Sequence, residues 1–133
     1  MDIARGRQPN SSSIRASDTF TGTVFRDPLM TAEGVNLSTI MFEPGAHTYW
    51  HSHSAGQLLF IDHGKGVVGT RAGEVHSLHA ADVLYAPPGE EHWHGAAPDA
   101  YLAQTTVSMG STDWLEAVTP EQYREACEGA ASS

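Results

Sequence analysis

One cysteine, Cys127, leaves the chain without the means to close an internal disulfide. Basic residues are scarce: seven Lys plus Arg stand against sixteen Asp plus Glu, a formal charge of -9. Such a surface repels a phosphate backbone, which excludes nucleic acid as a natural partner. No apolar run approaches the ~20 residues that a membrane-spanning helix needs. The opening MDIARGRQPNSSS has no apolar core of the kind a secretory leader carries. Together these absences predict a cytoplasmic protein with no membrane partner. Charged residues are only 17% of the chain and hydrophobic residues 40%, so the composition is that of a folded protein rather than a disordered one. A length of 133 residues suits one domain around one core.

What the chain does have is short alternating segments cut by Gly and Pro. Residues 1–17, with Arg5, Arg7, Pro9 and the run Asn10-Ser11-Ser12-Ser13, read as a mobile or edge-lying arm; residues 18–133 read as the folded domain. Strands are predicted at Phe20–Phe25, ended by Asp27-Pro28, and at Asn36–Phe42, His47–His53 and Gln57–His63. Gly64-Lys65-Gly66 reads as a hairpin turn, followed by strands at Val67–Arg71, Glu74–His79, Asp82–Ala86, Glu91–Ala96 and Tyr101–Ser108. The fold class is therefore all-β, a barrel or sandwich. The tail differs. Thr119 as N-cap, Pro120 at the first helical position and Gln122 as its reciprocal partner predict a helix over 120–128, stopped at Gly129. Cys127 on that helix has no neighbour in sequence that would activate it and reads as structural.

Histidine is the residue in excess. There are eight, and six fall in two stretches, GAHTYWHSHSAGQLLFIDHG and PPGEEHWHG. His51 and His53 are two apart, which puts both on one face of a strand. The turn Ser54-Ala55-Gly56 then carries Gln57 beside them. His92 and His94 are again two apart. Three imidazoles and an amide carbonyl, with no thiolate, suit a divalent transition metal such as manganese, iron, nickel or zinc. By the same parity His47 and Tyr49 share the face of His51, Ser38 shares that of Ile40, and Gln104 lies with Leu102, Thr106 and Ser108 on one face. Ser38, Ile40, His47, Tyr49 and Ser108 are the expected wall of a pocket for a small-molecule substrate. His63, His76 and His79 read as surface or turn residues, Trp50, Trp93 and Tyr85 as packing residues, and Glu90 and Glu91 as a solvated turn.

These spacings resemble the cupin superfamily. Its first motif, G-x5-H-x-H-x3,4-E-x6-G, is matched by Gly45, His51, His53 and Gly64, with Gln57 where Glu is usual. Its second, G-x5-P-x-G-x2-H-x3-N, is matched by Pro87, Gly89 and His92, with Ala81 for the first Gly and Ala96 for the last Asn. The resemblance implies a double-stranded β-helix, or jelly-roll barrel, with a short C-terminal helix and one metal in the barrel mouth. FTGTVFRDPL, FEPGAHTYWHSHSAGQ, PPGEEHWHGAAPD and DWLEAVTPEQYR are similar to small bacterial cupins that include the manganese-dependent hydroxynitrile lyases. That likeness implies His51, His53, Gln57 and His92 as ligands of one divalent metal, manganese first. It implies His94 as a catalytic base and places Gln104 where those lyases carry a further catalytic histidine. Replacing Glu by Gln among the ligands leaves a formal +2 centre, a stronger Lewis acid and a poorer support for an oxidised metal. The expected function is cleavage or formation of a C–C bond at a carbonyl or alkoxide. The alternatives are a polyketide cyclase or isomerase on an enolisable carbonyl compound, an iron-dependent dioxygenase, and a non-catalytic cupin that binds a small ligand. Exposed sheet edges, together with the resemblance, predict a homodimer.

Overall fold

The computed structural model describes residues 1–6 and 13–131. Twelve strands and one helix follow in order: β1 (Ile14–Ala16), β2 (Phe20–Thr21), β3 (Val24–Ala32), β4 (Val35–Phe42), β5 (His47–Thr48), β6 (His51–His53), β7 (Gln57–Thr70), β8 (Val75–His79), β9 (Val83–Ala86), β10 (His92–Ala96), β11 (Leu102–Met109), β12 (Thr112–Trp114) and α1 (Pro120–Ala131). Every pairing is antiparallel. One sheet runs β1-β3-β4-β11-β7-β9; the other joins β8, the far half of β7, β10, and then β5 with β2 and β6 with β12. Together they form a nearly closed barrel, the jelly roll that the motifs imply.

Four of the expected boundaries move. Gly64-Lys65-Gly66 is no hairpin: β7 runs unbroken for 14 residues, pairing β11 over Gln57–Gly64 and β10 over Gly66–Thr70. The two glycines allow a strand to bend from one sheet into the other where the backbones of Tyr101 and Gly95 leave no room for a Cβ. Asp27-Pro28 does not end its strand, because the proline falls at the register shift between Pro28 and Met30, where a bulge removes the need for its N–H. Phe20–Phe25 is two strands, split at Gly22, whose φ of +83° turns the chain between sheets and whose Cβ would stand 2.9 Å from that of Ala46. The segment His47–His53 is also two strands, with consequences for the site. Of the N-terminal arm, Ile14–Ala16 lie along the edge of β3, and residues 7–12 are outside the described residues.

The barrel is filled unevenly. Val24, Ile40, Phe42, Ile61, Val68, Leu78 and Leu102 close one end with an apolar plug. The helix covers the outside of the second sheet, where Ala126 and Ala130 bury against Trp50, Val67, Trp93 and Val118. Its start is reciprocal: Gln122 N donates to Thr119 Oγ1 at 3.0 Å and Thr119 N donates to Gln122 Oε1 at 2.9 Å. Its end overruns the expected stop, continuing through Gly129 to Ala131, because burial of Ala130 outweighs the ~1 kcal/mol that glycine costs a helix. Tyr123 ties it to β10 by donating to the Ala96 carbonyl at 2.6 Å. Among the described residues no helix is long and apolar enough to cross a membrane.

Candidate metal centre

The open end of the barrel encloses a cavity of about 600 Å³. Three of its elements converge on one cluster. Residues His51 and His53 come from β6, His92 faces His51 from β10, and Gln57 opens β7. One nitrogen from each of His51, His53 and His92 lies within 4.8 Å of the others. All four side chains are buried.

The remaining ring atoms say which nitrogens face inward. The Nδ1 of His51 stands 2.8 Å from the Tyr49 carbonyl, and that of His92 stands 2.9 Å from the Glu90 carbonyl. A carbonyl only accepts, so both rings carry their proton on Nδ1 and present a bare lone pair at Nε2. The Nδ1 of His53 pairs with Thr112 Oγ1 at 3.1 Å, and its buried Nε2 has no partner. The amide of Gln57 is oriented by its own NH₂, which donates to Ser108 Oγ at 3.0 Å and so aims Oε1 at the cluster. That oxygen sits 3.1 Å from His92 Nε2. In a neutral His92 these are two acceptors face to face, which is repulsive unless a cation lies between them. The orphaned His53 Nε2 has the same need. The donor set therefore fits a divalent metal, with three nitrogens and one carbonyl oxygen and without a carboxylate.

The cupin-domain family matches residues 38–107, which spans every strand that carries the cluster. The chain is a cupin. It is 44% identical to the (R)-mandelonitrile lyase of Granulicella tundricola over 132 residues, covering 93% of this chain and 99% of that one. The crystal structure of a cupin-like protein from Thermotoga maritima is 40% identical, covers 96% of this chain and 99% of its own, and superposes with a TM-score of 0.82. The polyketide cyclase RemF from Streptomyces resistomycificus shares the fold at a TM-score of 0.71 over 92% of each chain, with 14% identity.

The rest of the cupin site departs from strand parity. Ser38, Ile40 and Ser108 line the cavity, but His47 and Tyr49 do not. The chain bends at Tyr49 and Trp50 between β5 and β6, which reverses the faces. His47 therefore points away, stacking on Tyr123 of the helix at 4.4 Å, while its Nδ1 stands 2.9 Å from the Gly45 carbonyl. Thr48 takes the inner position instead and accepts from the His94 backbone N–H at 3.2 Å. His94 also lines the cavity, its ring 5.3 Å from that of His51. Gln104 does not reach the open surface. Wholly buried, it holds His94 Nδ1 with its Nε2 at 2.7 Å and leaves its own Oε1 unpartnered.

Burial sets the protonation of the cluster. It holds the imidazoles of His51 and His94 well below their usual range, lowers His92, and brings His53 down to about 4, with neighbouring imidazoles adding to the shift at His51, His53 and His94. At neutral pH all four are neutral, as metal ligation requires. Strand β12, not anticipated from sequence, adds Thr112 against His53 and Trp114, whose ring lies 4.6 Å from that of His51. The signal was present in Thr112-Asp113-Trp114, an alternating triplet after Gly110, but three residues are too short a period to read.

Proposed function

We propose that this cupin is a metal-dependent lyase of hydroxynitrile-lyase type, acting on 2-hydroxynitriles. The observation that carries the reading is a neutral donor set with a proton-handling imidazole, His94, packed against it. The identity to a mandelonitrile lyase adds weight. His51, His53, His92 and Gln57 would hold one divalent ion, manganese first among iron, zinc and nickel, which supplies Lewis acidity toward the substrate oxygen. The reaction breaks the bond between the carbinol carbon and the nitrile carbon; its electron pair leaves with cyanide, and the hydroxyl proton is removed.

His94 moves that proton. As placed, Gln104 donates to Nδ1, so the ring carries its proton at Nε2. After the amide turns over, its Oε1 accepts from Nδ1–H and Nε2 becomes the basic atom. An amide serves both tautomers, which suits a ring that takes a proton from a hydroxyl and returns it to cyanide. Phe20 and Trp114, their rings 5.8 Å apart, give the cavity an aromatic wall for the substrate's apolar part.

The test is release of benzaldehyde from mandelonitrile by metal-loaded protein, against chelated, metal-only and protein-free controls. We expect release that requires metal. We further expect Gln104→His to raise it and His94→Ala to lower it by roughly 100-fold to 10,000-fold with metal content unchanged. No release above controls from either the wild type or Gln104→His overturns the reading. The observation that Gln104 cannot titrate favours a second reading in that event, a cyclase or isomerase that needs His94 as its single base on an enolisable carbonyl compound.

A further inference from the structure

Of the seven basic residues in the chain, Arg15 and Arg26 stand in the wall of the cavity. Arg26 lies on β3 two residues after the wholly buried Val24, so alternation turns both to the inner side, and Arg26 lines the cavity. It pairs in register with Ile40 on β4, which pairs in turn with Gln104 on β11. The three form one row across the inner face, ending on the glutamine that holds His94. Two strand spacings of ~4.8 Å put the Cα of Arg26 about 10 Å from that of Gln104. A substrate lying along that row runs from Arg26 over Ile40 toward His94, the ring that the buried Gln104 holds.

Among the described residues no carboxylate answers this guanidinium. Lys65 and Arg124 each face one, at 3.8 and 3.7 Å, and Arg71 faces two, both at 2.9 Å, whereas Arg26 forms no ion pair among the described residues. Arg15, also in the wall, donates to Thr23 Oγ1 at 3.4 Å. Asp18 is the one acidic residue among those described in the lining. The four proposed ligands bring no negative charge, so a divalent ion on them adds two uncompensated positive charges to that of Arg26. With Arg15 and Arg26 against Asp18 in the wall, the cavity mouth is positive in sum and favours an anion, although Arg26 itself is exposed.

We propose that the natural substrate carries a carboxylate, held by the Arg26 guanidinium at one end of the row while its hydroxyl or carbonyl end faces the histidine cluster. The fork of an arginine matches a carboxylate with two parallel N–H donors, which fixes direction as well as sign. Phe20 and Trp114 line the same cavity with apolar surface, and about 600 Å³ accommodates a spacer of ring size. The substrate class is thus hydroxy- or oxo-carboxylates with an apolar spacer. The placement of the hydroxyl end rests on the proposed function; the anchoring of the carboxylate rests on Arg26.

The experiment is calorimetric titration of metal-loaded protein with 4-(hydroxymethyl)benzoate and with its methyl ester, which has the same shape without the charge. We expect the wild type to bind the carboxylate about tenfold or more tightly than the ester, the scale of a charge-assisted hydrogen bond. Arg26→Gln should remove the difference while leaving ester binding unchanged, and Arg26→Lys should keep part of it. A wild type that binds both alike or neither overturns the proposal. So does an Arg26→Gln variant that still prefers the carboxylate, since the anion then sits on the metal or elsewhere. Failure to cleave mandelonitrile would leave this readout intact and would count against the lyase reading alone.

Discussion

A neutral imidazole that donates from Nδ1 has only a lone pair to offer at Nε2. That rule turns the 3.1 Å approach of His92 to Gln57 from an apparent hydrogen bond into a contact that calls for a cation. The residues in it were legible from spacing read through the cupin resemblance, because the two motifs fix positions relative to turns that the fold preserves. Thr112 was not legible, since it comes to His53 from a strand 59 positions away. Its role is open to test. Thr112→Val removes the hydroxyl that orients the ring while keeping its shape, and should weaken metal binding about 10-fold to 100-fold, as loss of such supporting hydrogen bonds usually does. Titration of metal-free protein with Mn²⁺ would read it. Unchanged affinity would mean that packing alone holds His53. His47 illustrates the opposite failure: parity placed it in the cavity, and a two-residue bend took it out.

At the scale of elements, the motif position filled by Ala81 has a backbone reason. Cupins carry glycine there, and Ala81 adopts a φ of +77°, the one described residue other than glycine on that side of the map. The left-handed region costs an L-residue roughly 1–2 kcal/mol, of which the greater freedom of unfolded glycine takes part back. Ala81→Gly should therefore stabilise the turn between β8 and β9 by about 0.5–1 kcal/mol, seen as a higher urea midpoint with unchanged slope. A fall in midpoint would mean that the alanine methyl makes contacts worth more than the strain. The helix teaches the complementary lesson. Its start was readable because a capping box is local chemistry, whereas its end was set by what Ala130 packs against, which no local signal carries.

Across the whole molecule, the cluster makes the fold sensitive to acid. In an unfolded chain these imidazoles titrate near 6.5, and burial holds them lower, His53 at about 4. Between those values the unfolded chain binds more protons than the folded one, so stability falls as pH falls. Metal-free protein should be at full stability above about pH 6.5 and lose it progressively toward about pH 4; urea midpoints across that range would check the sign. Bound metal should raise the melting temperature and be released in the same window, because protons compete for the same lone pairs. One strand gives the molecule its continuity. Because β7 belongs to both sheets, the barrel has no seam at Gly64-Lys65-Gly66, the place whose sequence most invites a graft. An engineer inserting a six-residue Gly/Ser tag between Lys65 and Gly66 should recover insoluble protein. The same tag between Ala72 and Gly73, where a Cβ would meet nothing within 4 Å, should leave the soluble yield close to that of the parent.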